Sequence, residues 1–163
     1  MARKLNIKSL APKNTNYRQG YYKPANPEKY LGDLNKIIFR SAWERKFAVY
    51  CDSEPKVLAW SSEPVAVPYF HPVLKTMKPY YVDFYMKTLQ DDNSTKEFIV
   101  EVKPSKKLIA PMLPEGRVTQ KRADAFKKQA EEYMINLHKF DAAKKYAESR
   151  GWSFILVTER FHF

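Results

Sequence analysis

The sequence predicts an α/β (α+β) domain in which helices flank a mixed central sheet. Runs of β-branched and aromatic residues, separated by turn-forming residues, fill the middle of the chain and are typical of strands. A helical repeat over residues 119–150 is followed by an apolar strand at Trp152–Glu159. A strand, a long helical crossover and a second strand predict that this last strand lies parallel to the strand at 98–103.

The first helix is predicted to begin at Ser41. Trp43 and Phe47 contribute to its apolar face, and Pro55 follows its end. A short helical stretch is also predicted upstream, over residues 28–39, because apolar residues recur there at helical spacing.

The long helix has Thr119 as its candidate N-cap and Gly151 as its C-terminal stop. Because it exceeds 25 residues, a break into two helices is expected near Asn136. Its predicted buried stripe consists of Phe126, Ala130, Tyr133, Leu137 and Phe140.

Four strands are predicted before the long helix. The first covers Val57–Ser62, and a short strand near Val65–Tyr69 follows in a proline-rich stretch. The next two cover residues 80–85 and 98–103, with a turn at 90–94 between them. A hairpin is the economical arrangement of these two strands.

The composition favours an anionic partner and excludes several classes of protein. A net charge of +11 over 163 residues favours nucleic acid, with a basic protein-binding surface as the alternative. The single cysteine, Cys51, excludes a disulfide framework, and the three histidines lack zinc-ligand spacing. No glycine-rich phosphate loop is present, so no nucleotide cofactor is expected. Without an apolar run long enough for a membrane span or a signal peptide, we expect an intracellular protein with no membrane partner.

Residues 1–27 are predicted to form an extended basic arm, and residues 28–163 a single domain. The arm contains no acidic residue. It would lie along DNA phosphates, dock on a protein surface or remain a solvated tail, and the sequence leaves these alternatives open. Its candidate DNA-binding residues are Arg3, Lys4, Lys8, Lys13, Arg18 and Lys23.

The candidate catalytic residues lie on the two strands of the predicted hairpin. Asp83 has apolar and aromatic neighbours, where a carboxylate is costly unless it is hydrogen-bonded or bound to a metal. Glu101 and Lys103 are two residues apart in a strand and therefore point to the same side. Two carboxylates and a lysine suit a hard divalent cation and an activated water. The alternatives are a solvent-facing Asp83 and an exposed Glu–Lys pair on an edge strand.

Two further acidic residues are candidates with open alternatives. Glu44 follows Ser41 by three residues, as in a capping box, and would bond back to the backbone N–H of Ser41. Its alternative role is to approach the metal site from the start of the helix. Glu63 is either an accessory acid near the site or an exposed residue at a strand end.

A second basic zone follows the strand that carries Lys103. We expect it to lie beside that strand and to contact phosphates, although a solvated helix face is the alternative. Its candidate DNA-binding residues are Lys106, Lys107, Lys121 and Arg122.

Five short motifs, in this order, resemble the PD-(D/E)XK nuclease superfamily. They are Ser41-Ala42-Trp43-Glu44, Trp60-Ser61-Ser62-Glu63-Pro64, Tyr81-Val82-Asp83-Phe84, Glu101-Val102-Lys103-Pro104 and Leu156-Val157-Thr158-Glu159. More narrowly, they resemble the branch that contains the endonuclease subunit of heteromeric transposases and small phage nucleases of head completion. The proline typical before the first catalytic aspartate is replaced by Val82.

The resemblance implies a restriction-endonuclease-like fold for residues 36–160. It implies that Asp83, Glu101 and the backbone carbonyl of Val102 bind Mg²⁺ or Mn²⁺, that Lys103 is the catalytic lysine, and that Glu44 is the helix acid near the metal.

The resemblance implies a metal-dependent DNA endonuclease or exonuclease that processes packaged DNA in phage head completion, with double-stranded DNA as a partner. Its partners would be head, portal or neck proteins, in the host cytoplasm during assembly or in the virion. The alternatives are a structural DNA-binding protein with weak or lost nuclease activity, and a host-type repair or transposition nuclease.

Overall fold

The computed structural model describes residues 20–161. The strands in this range are β1 (Gly20–Tyr21), β2 (Ile38–Phe39), β3 (Val57–Ser62), β4 (Ala66–His71), β5 (Thr76–Tyr81), β6 (Phe84–Leu89), β7 (Thr95–Val102) and β8 (Ser153–Val157). The α helices are α1 (Ala42–Ser53) and α2 (Gln120–Glu148). Neither helix is both long and apolar enough to cross a lipid bilayer.

A mixed four-stranded sheet in the order β3-β6-β7-β8 forms the centre of the fold. β6 and β7 form the predicted antiparallel hairpin, and β8 lies parallel to β7 after the α2 crossover, as the sequence predicted. β4 and β5 pair separately as a two-stranded hairpin, and β1 pairs with β2. The predicted mixed α+β fold is therefore confirmed.

The first helix begins where the sequence predicted. Ser41 is its N-cap, and its Oγ accepts a hydrogen bond from the backbone N–H of Glu44. Phe47 and Cys51 are fully buried, and they pack with Trp60 and Phe84 of the central sheet. One face of the sheet is thereby covered by α1.

The helical prediction for residues 28–39 is wrong. This segment contains only two short 3₁₀ turns, Pro27–Lys29 and Leu34–Lys36, before β2. Gly32 adopts a φ of 137° between the two turns, a conformation that interrupts a helix. The expected break near Asn136 is also wrong, because α2 is one continuous helix of 29 residues. No glycine or proline occurs within it.

The strand predicted over residues 80–85 is interrupted at Asp83. Tyr81 ends β5 in the hairpin, and Phe84 begins β6 in the central sheet, so Val82 and Asp83 connect two different sheets. An aspartate side chain competes with backbone ladders for hydrogen bonds, which disfavours it inside a strand. The break places Asp83 at the end of β6.

Residues 20–29 are held against the domain by the buried Asp52. Its carboxylate accepts hydrogen bonds from the Tyr22 hydroxyl at 2.9 Å and from the backbone N–H groups of Ala25 at 2.7 Å and Asn26 at 3.0 Å. The Tyr22 ring meets Trp60 edge-on, with ring centroids 5.8 Å apart. This part of the predicted arm is therefore packed, and residues 1–19 of the arm lie outside the described range.

Candidate active site

Asp83 and Glu101 lie side by side at one end of the central sheet. Phe84 pairs with Val100, so continuing this antiparallel register by one position sets Asp83 opposite Glu101. The Asp83 Oδ2 accepts a hydrogen bond of 2.8 Å from the backbone N–H of Val102, which occupies one oxygen and leaves Oδ1 without a hydrogen bond from residues 20–161. The side chain thus replaces the backbone acceptor that an unbroken strand would supply.

The electrostatic environment of Asp83 is strongly anionic. Burial is the main cause that raises its pKa well above the usual range, and the carboxylates of Glu101 and Glu44 raise it further. The hydrogen bond from Val102 and the ammonium of Lys103 act in the opposite direction. Three carboxylates therefore repel one another at this site, and positive charge would be attracted to it.

Glu101 is 5% exposed on β7 and has two close donors. The Tyr80 hydroxyl donates to its Oε2 at 2.6 Å, and the Lys103 Nζ lies 2.7 Å from its Oε1. The predicted same-side placement of Glu101 and Lys103 is confirmed by this ion pair. Because Tyr80 belongs to β5, the separate hairpin sheet reaches the same carboxylate as the central sheet.

Lys103 is held by groups from both β7 and α2. Its Nζ lies 2.7 Å from Glu101, 3.4 Å from the Oδ1 of Asn136 and 5.7 Å from the ring centroid of Phe140. An ammonium has three N–H donors, so one donor is left after the two oxygen contacts. That donor is available for a water or a phosphate oxygen.

Glu44 forms a cap with different partners from those predicted. Its Oε2 accepts from the backbone N–H of Arg40 at 2.8 Å, and its Oε1 accepts from the hydroxyl of Ser41 at 2.9 Å. The predicted hydrogen bond from the backbone N–H of Ser41 is replaced by the one from the backbone N–H of Arg40, because the chain enters the helix from β2. Burial is the main cause that raises the pKa of Glu44, with a contribution from Glu101. The cap and the proximity to the acidic cluster therefore coexist.

Glu63 pairs with Arg40. The Arg40 Nε donates to its Oε1 at 2.9 Å, and Glu63 has a φ of 44°, an uncommon conformation for a residue other than glycine. Its backbone N–H donates to the backbone carbonyl of Asp83 at 2.8 Å. Glu63 therefore lies next to the site, because its backbone bonds to Asp83, while its carboxylate pairs with Arg40. Its accessory role stays a prediction.

The candidate DNA-binding residues fall into separate groups. Lys106 and Lys107 are exposed in the 3₁₀ turn just after Lys103, although Lys107 also pairs with Glu132 at 2.8 Å. Lys121 is 15 residues from Asn136 along α2, which corresponds to about 22 Å. This part of the second basic zone is therefore distant from Lys103, because it lies at the N-terminal end of α2 whereas Lys103 contacts the middle of the helix.

Two more candidates differ in their surroundings. Both Nη groups of Arg122 donate to backbone carbonyls of the preceding loop, those of Arg117 at 2.8 Å and Glu115 at 3.0 Å. This residue therefore orders the loop as well as contributing charge. Lys23 is exposed beside the packed N-terminal segment, and the other five arm residues lie outside the described range.

Three side chains near the site were missed by sequence reasoning: Tyr80, Asn136 and Lys139. The predicted stripe of α2 included Leu137, which is 48% exposed, whereas Asn136, Ala143 and Ala147 are buried. The small alanines let the helix lie close to the sheet. Asn136, Ala143 and Ala147 are seven and four residues apart, which is the spacing of one helix face. The polar Asn136 interrupts the apolar pattern that would otherwise indicate this face.

The donor set fits a hard divalent cation. No group of three or more His, Cys, Asp or Glu side chains within residues 20–161 forms a ready-made metal cage. Mg²⁺ is commonly held by only one or two carboxylates, with water and substrate completing its shell. The two neighbouring carboxylates of Asp83 and Glu101 match that requirement, and burial followed by repulsion from Glu101 raises the pKa of Asp83.

The fold and the order of the site residues define a class of protein: a restriction-endonuclease-like nuclease. The comparisons with known proteins agree. The model of the family "TnsA-like endonuclease N terminal" matches residues 54–159. The "Head completion nuclease" of Enterobacteria phage T4 is 36% identical over 140 residues, which cover 86% of this chain and 90% of that protein. The chain therefore belongs to the TnsA-like endonuclease family.

Proposed function

We propose that the protein is a divalent-metal-dependent DNA nuclease that processes packaged DNA during phage head completion, before the tail joins. The similarity to the T4 head completion nuclease supports this setting. The observation that carries the chemistry is the grouping of Asp83, Glu101 and Lys103 at adjacent strand ends. Its partners would be double-stranded DNA and head, portal or neck proteins, in the host cytoplasm during assembly.

The metal would be Mg²⁺, with Mn²⁺ as a substitute. Asp83, Glu101 and the backbone carbonyl of Val102 would hold it, and Glu44 would approach from the start of α1. A bound ion of this kind stabilises charge on phosphoryl and leaving oxygens during phosphodiester hydrolysis. Support comes from the paired carboxylates and from the raised pKa of Asp83, since a bound cation would favour its ionised form.

Lys103 would position the attacking water. Two of its donors are directed to Glu101 and Asn136, which fix the ammonium in place. The third would hold the water, or a phosphate oxygen, and would offset the negative charge that develops in the transition state. The role of Glu101 is thus double, because it would bind the metal through one oxygen and orient Lys103 through another.

DNA would be held mainly through its phosphates. Lys106 and Lys107 lie in the exposed turn next to Lys103, where they would contact the strand near the scissile bond. Lysine contacts to phosphates give little base specificity, so we expect weak sequence preference and binding that weakens with salt.

The test is cleavage of linear and supercoiled DNA with Mg²⁺, Mn²⁺ or EDTA. We expect metal-dependent cutting by the wild type and none by Asp83→Ala or Lys103→Ala. Asp91→Ala is the matched control, because Asp91 is an exposed carboxylate in the turn at the opposite end of β6 and β7. Products from supercoiled circles would identify endonuclease action, and shortening of linear ends alone would identify exonuclease action.

Two other outcomes would change the assignment. Tight, salt-sensitive DNA binding without cutting in any metal would favour the structural DNA-binding role. Equal cutting by the wild type and both site variants would contradict the site assignment and indicate a contaminating nuclease.

A further inference from the structure

Helix α2 contributes a second lysine to the surroundings of the site. Lys139 is three residues after Asn136, so both lie on the same side of the helix. Its Nζ lies 5.3 Å from the ring centroid of Tyr80 and 5.6 Å from that of Tyr69. Because the hydroxyl of Tyr80 donates to Glu101, Lys139 and Glu101 flank the same tyrosine.

The side chain of Lys139 is half-buried, and its ammonium has no anionic partner among residues 20–161. In the described part of the chain its Nζ forms no hydrogen bond and no ion pair, and it lies over the rings of Tyr69 and Tyr80. Burial is the main cause that lowers its pKa, and the neighbouring ammonium of Lys103 lowers it further, while Glu101, Asp83 and Glu132 act in the opposite direction. Its electrostatic neighbours are thus Lys103, Glu101 and Asp83 of the site, together with Glu132, which already pairs with Lys107.

Such a charge is costly to keep without a partner. A lysine that is partly removed from water is normally paired, and contact with aromatic faces offsets only part of the cost of desolvation. The nearby carboxylates would be neutralised in turn by the metal. In the metal-loaded site, the partner that fits Lys139 is therefore an added anion.

We propose that Lys139 binds a non-bridging oxygen of a DNA phosphate at or next to the scissile bond. This inference rests on the nuclease function proposed above, and it identifies a phosphate-binding position on α2. Lys103 and Lys139 then have different tasks: Lys103 is fixed by Glu101 and holds the water, whereas Lys139 keeps its donors for the DNA backbone.

The test compares Lys139→Met, which keeps length but removes charge, with Lys139→Arg, which keeps charge and the aromatic contacts. Lys144→Met is the matched control, because Lys144 is an exposed lysine of the same helix. Affinity for a labelled 20-base-pair duplex is measured across about 50–200 mM salt, with Ca²⁺ in place of Mg²⁺. Gels verify that the DNA stays intact, and thermal unfolding verifies the fold; Lys139→Gln replaces the Met variant if that variant is unfolded.

We expect Lys139→Met to lower the slope of log affinity against log salt by about 0.9, the value for one phosphate contact. Its kcat/KM with Mg²⁺ should fall about 10- to 100-fold, as for loss of one hydrogen bond to a charged group. Lys139→Arg should keep the slope, and Lys144→Met should match the wild type in both measurements.

The inference is overturned if the wild type cuts DNA while Lys139→Met keeps both the wild-type slope and the wild-type kcat/KM. A different result, in which the wild type neither binds nor cuts DNA with any metal, would refute the proposed function and this inference with it.

Discussion

Replacing Lys103 with methionine should destabilise the protein far more than replacing a lysine of an exposed ion pair. The Lys103 Nζ lies 2.7 Å from Glu101, and the two side chains are only 20% and 6% exposed. At an effective dielectric constant of about 20, charges at that separation attract by about 6 kcal/mol, much of which offsets their desolvation.

Removing one partner of a buried pair costs about 3–5 kcal/mol, because the other charge is left without compensation. We expect about 3 kcal/mol for Lys103→Met, since Tyr80 still donates to Glu101 and some water reaches the site. Adding Glu101→Gln should restore at least about 1 kcal/mol, because the remaining partner is then neutral.

The assay is urea unfolding in EDTA, with Lys107→Met as the matched control. The Lys107–Glu132 pair has nearly the same length, 2.8 Å, but its side chains are 43% and 44% exposed. Its loss should therefore cost less than about 1 kcal/mol. The reasoning is refuted if the two single variants lose the same stability, or if Glu101→Gln gives no recovery in the Lys103→Met background.

Three further predictions concern stability without metal. Asp83→Asn should gain stability relative to the wild type as pH rises from about 4. Because the pKa of Asp83 is raised in the folded state, its protonation contributes stability that is fully present below the unfolded pKa and is lost as pH rises through the folded pKa. Unfolding in EDTA at several pH values measures the difference in stability between the two proteins, and a difference that does not change with pH would contradict the prediction. Tyr80→Phe should lose about 1.5–3 kcal/mol, because Glu101 loses a buried donor, whereas Tyr85→Phe, which removes an equally short but less buried bond, should lose less; equal losses in urea unfolding would count against the burial argument. Ser41→Ala should lower the free energy of unfolding by about 1 kcal/mol through loss of the α1 cap, and Ser41→Thr should retain most of it; an unchanged melting temperature for Ser41→Ala would show that the cap is dispensable.

Local patterns were sufficient to predict the central sheet and the placement of Glu101 and Lys103 on one side of their strand. The hairpin of β6 and β7 follows from turn residues, and the parallel β8 follows from the long helical crossover that precedes it. Glu101 and Lys103 face the same side because strand residues alternate. These inferences need only the geometry of one or two neighbouring elements.

The rest depends on contacts between distant elements. Asp83 interrupts its predicted strand because the chain passes there from the hairpin sheet to the central sheet. The alternation of apolar and polar residues does not indicate such a change of sheet. Tyr80 is indistinguishable in sequence from the other tyrosines of its stretch until the hairpin is placed over Glu101. Asn136 is polar, although it is only 5% exposed. Apolar periodicity therefore does not indicate that it is buried.

The bond from Tyr80 to Glu101 has a consequence for how this nuclease fold can diversify. The donor comes from the hairpin of β4 and β5, which pairs with no strand of the central sheet. Residues 73–75 at the tip of the hairpin are exposed and lie far along the strands from Tyr80, so they can change without removing this donor. The base of the hairpin has no such freedom, because a relative without it would need another donor for its strand glutamate.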